Sequence, residues 1–395
     1  MSVEQVFAGF RMYEQTYPEY AMKTRDHYRD RSRMAAVFSY VPRLRALRPA
    51  TFVFAGNISY FSDVIALCAN DDVAILTTGA RTHLKALTTG TNSHLIVDLY
   101  HGLNENLDAP RHASKKIRGN IARLSHLLQG LKPSFLFVQS DTMPFERELI
   151  LAARESGITT VCVQHGLFTR ETPRALTEGK FADVFLAYDE EQAKIVKEGS
   201  PACRVLVSGS LKRNSPRLPE IQDRSVVFLG QPYPLLFDRR KAGLYVDLVQ
   251  DISSRCQKAG LEFWYKPHPG EIGSSYLDQF PDRLSGSIDT VLGQFQHFLG
   301  ISSTALHQAS VRGKTAVQII EPDLHTERYS DLGYCHSCNR QDLDALLANI
   351  KNLAPYTSTN LDSFENGDLQ SRWTAVKLLL DSEADQATTT VPGKD

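Results

Sequence analysis

The run Phe263-Trp264-Tyr265-Lys266-Pro267-His268-Pro269-Gly270-Glu271 puts a lysine and a histidine where an apolar, aromatic strand must stop. The proline on each side of the histidine fixes φ at about −65° and removes a backbone donor, so the chain turns out of the sheet there. Two cation-capable side chains then stand at the carboxyl end of a strand, where open α/β sheets bind their ligands. The plainer alternative is a histidine that caps a helix. Further on, Gly300-Ile301 runs into Ser302-Ser303-Thr304 and then a helical pattern from Ala305 to Val311. One hydroxyl is enough for an N-cap. Three beside a helix N-terminus also suit a phosphate, which is attracted by free N–H groups and the positive dipole end. Lys266 and His268 could add countercharge, with a protonated His268 stabilising a departing phosphate. Glu321 follows the apolar run Thr315–Ile320 and could accept hydrogen bonds from a ribose diol. As a lone carboxylate it could equally be an exposed loop residue.

A second constellation lies earlier in the chain. The strand-like run Thr160-Val161-Cys162-Val163 ends in Gln164-His165-Gly166, and Gly166 permits a sharp turn or a close approach. One strand earlier, Phe137-Val138-Gln139-Ser140 ends in Asp141. If these strands are neighbours, Asp141 and His165 share a cleft mouth, and either could be a general base for a hydroxyl. Asp141 could also orient His165, as carboxylates do in hydrolytic triads. Structural alternatives are a cap on the helix beginning near Pro144 for Asp141 and a satisfied core position for His165.

The elements that must carry these residues alternate. Apolar, β-branched runs at Thr51–Ala55, Val73–Thr77, His94–Leu99, Ser134–Gln139, Thr159–Val163, Val184–Tyr188 and Val205–Ser208 predict strands. Helical patterns such as Ala113–Gln129 and Phe145–Glu155 lie between them, which argues for a parallel sheet covered on both faces. A proline-rich stretch follows Gly209. A second series then begins: Ser225–Leu229, a helix over Leu244–Ala259, the strand ending in Lys266, His297–Ile301, a helix from Ser303, and Thr315–Ile320. Helices near Gln341–Leu353 and Leu369–Leu380 close it. The expected fold is therefore α/β, with two Rossmann-like lobes facing a cleft. Residues 1–210 make the first lobe with a helical N-terminal extension, 211–224 a linker, 225–382 the second lobe, and 383–395 a disordered tail.

Totals narrow the function classes. In 395 residues, 44 basic and 45 acidic side chains give a net charge of −1, which leaves no electrostatic footprint for nucleic acid. No GxGxxG follows the first strand and no GxxxxGK[ST] occurs, which speaks against dinucleotide and P-loop chemistry. Six cysteines are scattered, and Cys335-His336-Ser337-Cys338 lacks the second pair of a zinc site. No metal or other cofactor is expected. Without a long apolar run or a signal-peptide pattern, the chain reads as cytosolic, with room for a peripheral contact at an inner membrane.

Val163-Gln164-His165-Gly166, Lys266-Pro267-His268-Pro269 and Ser302-Ser303-Thr304 together resemble bacterial GT-B-fold transferases of surface polysaccharides. Capsular sialyltransferases, Kdo transferases and the teichoic-acid CDP-glycerol glycerophosphotransferases share such histidine-proline and serine-serine motifs. The resemblance implies a cytidine-nucleotide donor held mainly by the second lobe without a metal. It gives His268, Ser302, Ser303 and Thr304 the donor phosphates. The first-lobe motif departs from several relatives: Gln164-His165-Gly166 stands where sialyltransferases carry an acidic pair before a glycine. The tryptophan usual before the histidine-glycine of the glycerophosphotransferases is missing as well. The expected activity is transfer of an acidic nonulosonic or Kdo-type sugar to a glycan or lipid-linked glycan acceptor of a capsule, O-antigen or related surface glycan. His165 or Asp141 would be the base, and a polysaccharide assembly complex a further partner. The alternatives are a CDP-glycerol or CDP-ribitol polyol-phosphate transferase, a nucleotide-sugar 2-epimerase, and a non-catalytic module that binds glycan or nucleotide.

Overall fold

The computed structural model describes residues 47–56, 58–69, 72–77, 91–96, 110–170, 179–212, 222–232, 239–324, 327–357 and 368–389, together with Val6, Ala8, His83, Ala86, Thr88 and Thr172. The expected helical N-terminal extension, over the first fifty residues, lies almost wholly outside these residues. So does most of the 211–224 linker.

Strands β1 (Phe52–Ala55), β2 (Val73–Thr77), β3 (Asn92–Leu95), β4 (Phe135–Val138), β5 (Thr159–Val163), β6 (Val184–Ala187) and β7 (Arg204–Val207) form one sheet. Its order is β3-β2-β1-β4-β5-β6-β7, and every pair is parallel. A second, wholly parallel sheet contains β8 (Gln222–Leu229), β9 (Glu262–Lys266), β10 (Phe295–Gly300), β11 (Thr315–Ile320) and β12 (His336–Asn339), in the order β12-β11-β10-β8-β9. The expected α/β class with two helix-covered parallel sheets is what the chain adopts. In each sheet the order reverses once, between β1 and β4 and between β8 and β10. Doubly wound folds open a ligand crevice outside the carboxyl ends of the strands at such points.

Why these runs become strands is visible in their burial. Phe52, Val53, Phe54 and Ala55 are all buried, as are Phe135 to Val138, so both faces of the sheet are covered. Successive side chains go to opposite faces. Val53, Ala55, Leu136 and Val138 pack with the helices Pro110–Leu131 and Pro144–Glu155, while Phe52, Phe54, Phe135 and Phe137 form the opposite layer. That opposite layer corrects the expected lobe boundary. Leu369, Trp373, Val376 and Leu380 pack onto it, so the last helix returns to the first sheet and does not close the second. Trp373 sets its ring 5.4 Å from Phe52 and 5.6 Å from Phe137. Phe52, Phe54 and Phe137 make an aromatic shelf on which the Trp373 ring is seated. The helix also runs to Thr389, past the expected start of a disordered tail.

Two elements escaped the sequence reading. β12 is built from His-Ser-Cys-Asn, which carries no apolar run, and its pairing with β11 makes it a strand. The short helix Ile288–Gln294 is capped by Ser287, whose side chain accepts from the Thr290 N–H. No helix among the described residues is long and apolar enough to cross a membrane. Trp373→Ala is expected to lower the free energy of unfolding in urea by about 3–5 kcal/mol. Leu378→Ala, on the exposed side of the same helix, should change it little.

Candidate functional site

At the end of β9, Lys266 pairs with Leu229, and the chain leaves the sheet at Pro267. His268 is the N-cap of the short turn Pro269–Glu271: its Nδ1 accepts from the Gly270 N–H at 3.0 Å, and its own N–H donates to Glu271. The helix-capping alternative is therefore realised, and it has a chemical consequence. A backbone N–H can only donate, so Nδ1 carries no proton and the ring is the neutral tautomer with its proton on Nε2. Desolvation and the Lys266 ammonium also push the imidazole below its ordinary pKa. His268 in this turn is a neutral Nε2–H donor, which corrects the expectation of an imidazolium. Lys266 donates from Nζ to the Pro267 carbonyl at 3.1 Å.

Beneath the turn sits a fully buried carboxylate. Glu271 accepts from the hydroxyls of Tyr265 and Tyr276 and from the His268 N–H. Tyr265 has one proton and gives it to Glu271, so the 2.9 Å contact with Tyr245 is a hydrogen bond donated by Tyr245. Tyr245 in turn accepts from the Gln231 N–H. Burial raises the pKa of Glu271 although these donors pull it down. Gly230 follows β8 because any Cβ there would strike Glu271 and the Tyr265 ring.

The three hydroxyls after β10 have three different tasks. Ser303 caps the helix Thr304–Val311 by accepting from the Ala305 N–H at 3.3 Å. Ser302 accepts from the Glu327 N–H at 3.1 Å. Thr304 accepts from the Leu167 N–H at 3.4 Å, which brings the serine turn of the second sheet against the Gln164-His165-Gly166 turn of the first. Ser303 and Thr304 use their oxygens as acceptors and keep an O–H to donate. Glu321 lies at the end of β11, and its Oε2 accepts from Arg340 at 3.4 Å, an ion pair that competes with any ribose.

In the first sheet, β4 and β5 are neighbours, as the placing of Asp141 near His165 required. Asp141 is nevertheless committed elsewhere. It is buried, accepts from the Lys180 Nζ at 3.1 Å and takes the N–H groups of Phe181 at 2.6 Å and Ala182 at 3.2 Å. Burial raises its pKa, but the Lys180 charge and the two N–H groups outweigh that and hold it below the ordinary value. It does not cap the helix Pro144–Glu155, whose N-cap is Met143. Lys180 lies over the rings of Phe185 and Phe168, so the pair is enclosed by aromatics.

His165 is the residue the cleft presents. In its neutral imidazole one ring nitrogen keeps a lone pair that can take a proton. Desolvation and the Lys180 charge depress its pKa, against weaker pulls from Gln139 and Asp141. The cleft is lined by Tyr60, Gln139, His165, Tyr188 and Lys212 among others. Tyr60 meets His165 edge to face at 5.8 Å. Apart from His165, these lining residues carry no motif that sequence could flag.

Gln164 serves the frame. It donates to the Gly166 carbonyl at 2.7 Å and to Gln192, and it accepts from the Tyr188 N–H. Gln192 in turn donates to the hydroxyl of Tyr334, and that hydroxyl donates to Asp189 at 2.7 Å. Thr172 donates to Glu327 at 3.1 Å. Among the described residues, no group of three or more His, Cys, Asp or Glu could hold a metal ion.

Removing only one member of the enclosed Asp141–Lys180 pair should be the costly change. Asp141→Leu is expected to destabilise the chain by about 3–5 kcal/mol, because it strands a buried ammonium. Asp141→Leu combined with Lys180→Met should recover most of that loss. Urea unfolding of the two variants checks it, and equal losses in both would contradict the assignment of Asp141 to this pair.

No family model matches the sequence, and no curated protein is similar to it in sequence. Solved structures do resemble it. MurG of Acinetobacter baumannii aligns over 84% of this chain and 100% of its own, with a TM-score of 0.50 at 12% identity. A glycosyltransferase from Rickettsia africae ESF-5 aligns over 85% and 99%, with a TM-score of 0.47 at 9% identity. TarM of S. aureus aligns over 66% of this chain, with a TM-score of 0.46 at 10% identity, and the chain spans only 58% of TarM. At such identities the likeness is one of fold, and the fold it identifies for this chain is the two-sheet GT-B architecture.

Proposed function

We propose that this protein is a metal-independent glycosyltransferase that moves an acidic, nonulosonic or Kdo-type sugar from a cytidine-nucleotide donor to a bacterial surface glycan. The observation that carries the reading is the bond from the Leu167 N–H to the Thr304 hydroxyl. It sets the serine turn, suited to a phosphate, directly against the turn that bears His165. A donor phosphate on the second sheet would then lie beside a base on the first.

In this mechanism His165 takes the proton of an acceptor hydroxyl through the unprotonated nitrogen of its neutral ring. The hydroxyl oxygen bonds to the anomeric carbon as the bond from that carbon to the donor phosphate oxygen breaks. The charge left on the nucleotide is received by the His268 Nε2–H, the Lys266 ammonium, the Ser303 and Thr304 hydroxyls and the N–H groups opening the helix Thr304–Val311. Removing one such donor typically costs about 3 kcal/mol of transition-state stabilisation. Asp141 holds the frame, and Glu321 could reach a ribose only by giving up Arg340. The acceptor is a glycan or lipid-linked glycan, the reaction runs on the cytoplasmic side, and any contact with the membrane or an assembly complex is peripheral.

Thermal shifts with CMP, CDP, UDP and GDP, with and without EDTA, test the donor. A cytidine-specific shift insensitive to EDTA is expected. A shift by UDP alone would favour a 2-epimerase, and no shift with any nucleotide would favour a non-catalytic module. CDP-glycerol as the productive donor would identify a polyol-phosphate transferase. His268→Ala should abolish the nucleotide shift and nearly abolish turnover, whereas His165→Ala should lose turnover and keep the shift. Because the His165 pKa lies below its ordinary 6.5, its base form persists on acidification. The rate should therefore fall only as pH drops through a value below 6.5, and an acid limb at or above it would remove His165 from the role.

A further inference from the structure

We infer that the His165 cleft is a subsite for a sugar bearing an anionic group, with a sugar hydroxyl held by the Gln139 amide and the anion held by Lys212. This rests on the reading above, in which the first sheet takes the acceptor, and it adds the acceptor's chemistry.

Three observations carry it. The side-chain oxygen of Gln139 is buried and, among the described residues, has no hydrogen-bond partner. A buried acceptor left unmade is costly, and a ligand hydroxyl would supply the missing donor. Gln139 and His165 line the same cleft, so a hydroxyl on that amide would stand near the base. Next, among the described residues the cleft lining contains cationic Lys212 and no carboxylate. Among the described residues the Lys212 ammonium has no ion pair, and it lies over the Tyr60 ring at 5.1 Å. An exposed cation beside an aromatic wall and hydroxyl-binding groups suits a carboxylate or phosphate on a sugar ring.

The third observation is that the loop carrying Lys212 is braced. Arg372, itself buried, donates to the Ser210 carbonyl at 2.8 Å and to the Lys212 carbonyl at 2.9 Å. The Lys212 N–H donates to the Ser210 hydroxyl at 3.3 Å. A buried guanidinium from the last helix thus fixes the backbone of one exposed lysine at the rim of this cleft. The cleft also lies by the reversal of strand order between β1 and β4, where Tyr60 follows one strand and Gln139 the other.

Titrations of the full-length chain, saturated with CMP and followed by ligand-observed NMR, test this with galactose, galacturonate and galactose 1-phosphate. At least one anionic hexose should bind about tenfold more tightly than galactose, and the better of the two tells carboxylate from phosphate. Lys212→Met should erase that preference and leave galactose unaffected. Gln139→Leu should weaken all three sugars together and preserve their ratio. Equal binding of neutral and anionic sugars, no sugar binding, or a preference that survives Lys212→Met would each overturn the proposal. The CMP shift is read in the same samples. If it is missing while the Lys212-dependent preference is present, the transferase reading fails and the subsite stands.

Discussion

The histidine turn of the second sheet hangs on one buried carboxylate. Glu271 takes donors from Tyr265, Tyr276 and the His268 backbone, and the chain continues through Tyr245 to the backbone of Gln231. An ionised carboxylate without those partners could not be carried out of water. With them it fixes the backbone at the ends of β8 and β9 at once. His268 is consequently aimed by its main chain and by its Nδ1, before any ligand arrives. The protein supplies ligand-ready geometry at this strand end in advance, which is how preorganised donors gain over water.

The first sheet uses the same device with opposite consequences for the side chain concerned. Asp141 is also buried and also gathers N–H donors, but its own carboxylate is consumed in doing so. A group with three partners and an aromatic enclosure has no lone pair directed at a substrate, and its depressed pKa makes it a poor proton acceptor near neutrality. His165 is the reverse case. It lines the cleft, its neutral ring leaves one nitrogen with a lone pair, and the depressed pKa keeps that nitrogen basic in form at neutral pH. Between two candidates adjacent in the sheet, hydrogen-bond accounting separates the frame from the reagent.

The strands and the motif turns were legible because they depend on local pattern. Apolar runs bounded by prolines and glycines locate β1, β2, β5, β9 and β11 to within a residue or so. The Lys-Pro-His-Pro-Gly-Glu spacing even contains its own support, since a glutamate three residues after an N-cap closes a capping box. What could not be read were features created by distant pairing. β12 is a strand only because β11 accepts it. Trp373 belongs to the first sheet because four phenylalanines from β1 and β4 present a shelf there. Asp141 lost its apparent role to a lysine 39 residues away.

The seam between the two sheets shows the same dependence at larger scale. Gln164 looks in sequence like a companion of His165, yet it points into a buried relay through Gln192 to the hydroxyl of Tyr334 and on to Asp189. Burial raises the pKa of both Asp189 and Tyr334, so a single proton shared between them is held firmly as a hydrogen bond and not released. The relay joins residues 142 and 145 positions apart and runs beside the Leu167–Thr304 contact. Polar groups that hold the frame are thus saturated by other parts of the chain. Among the residues of the site, the His165 ring, the Gln139 amide oxygen, the His268 Nε2–H and the hydroxyls of Ser303 and Thr304 have a donor or acceptor to offer a ligand. These stand at the carboxyl ends of the two sheets, where doubly wound folds bind their ligands.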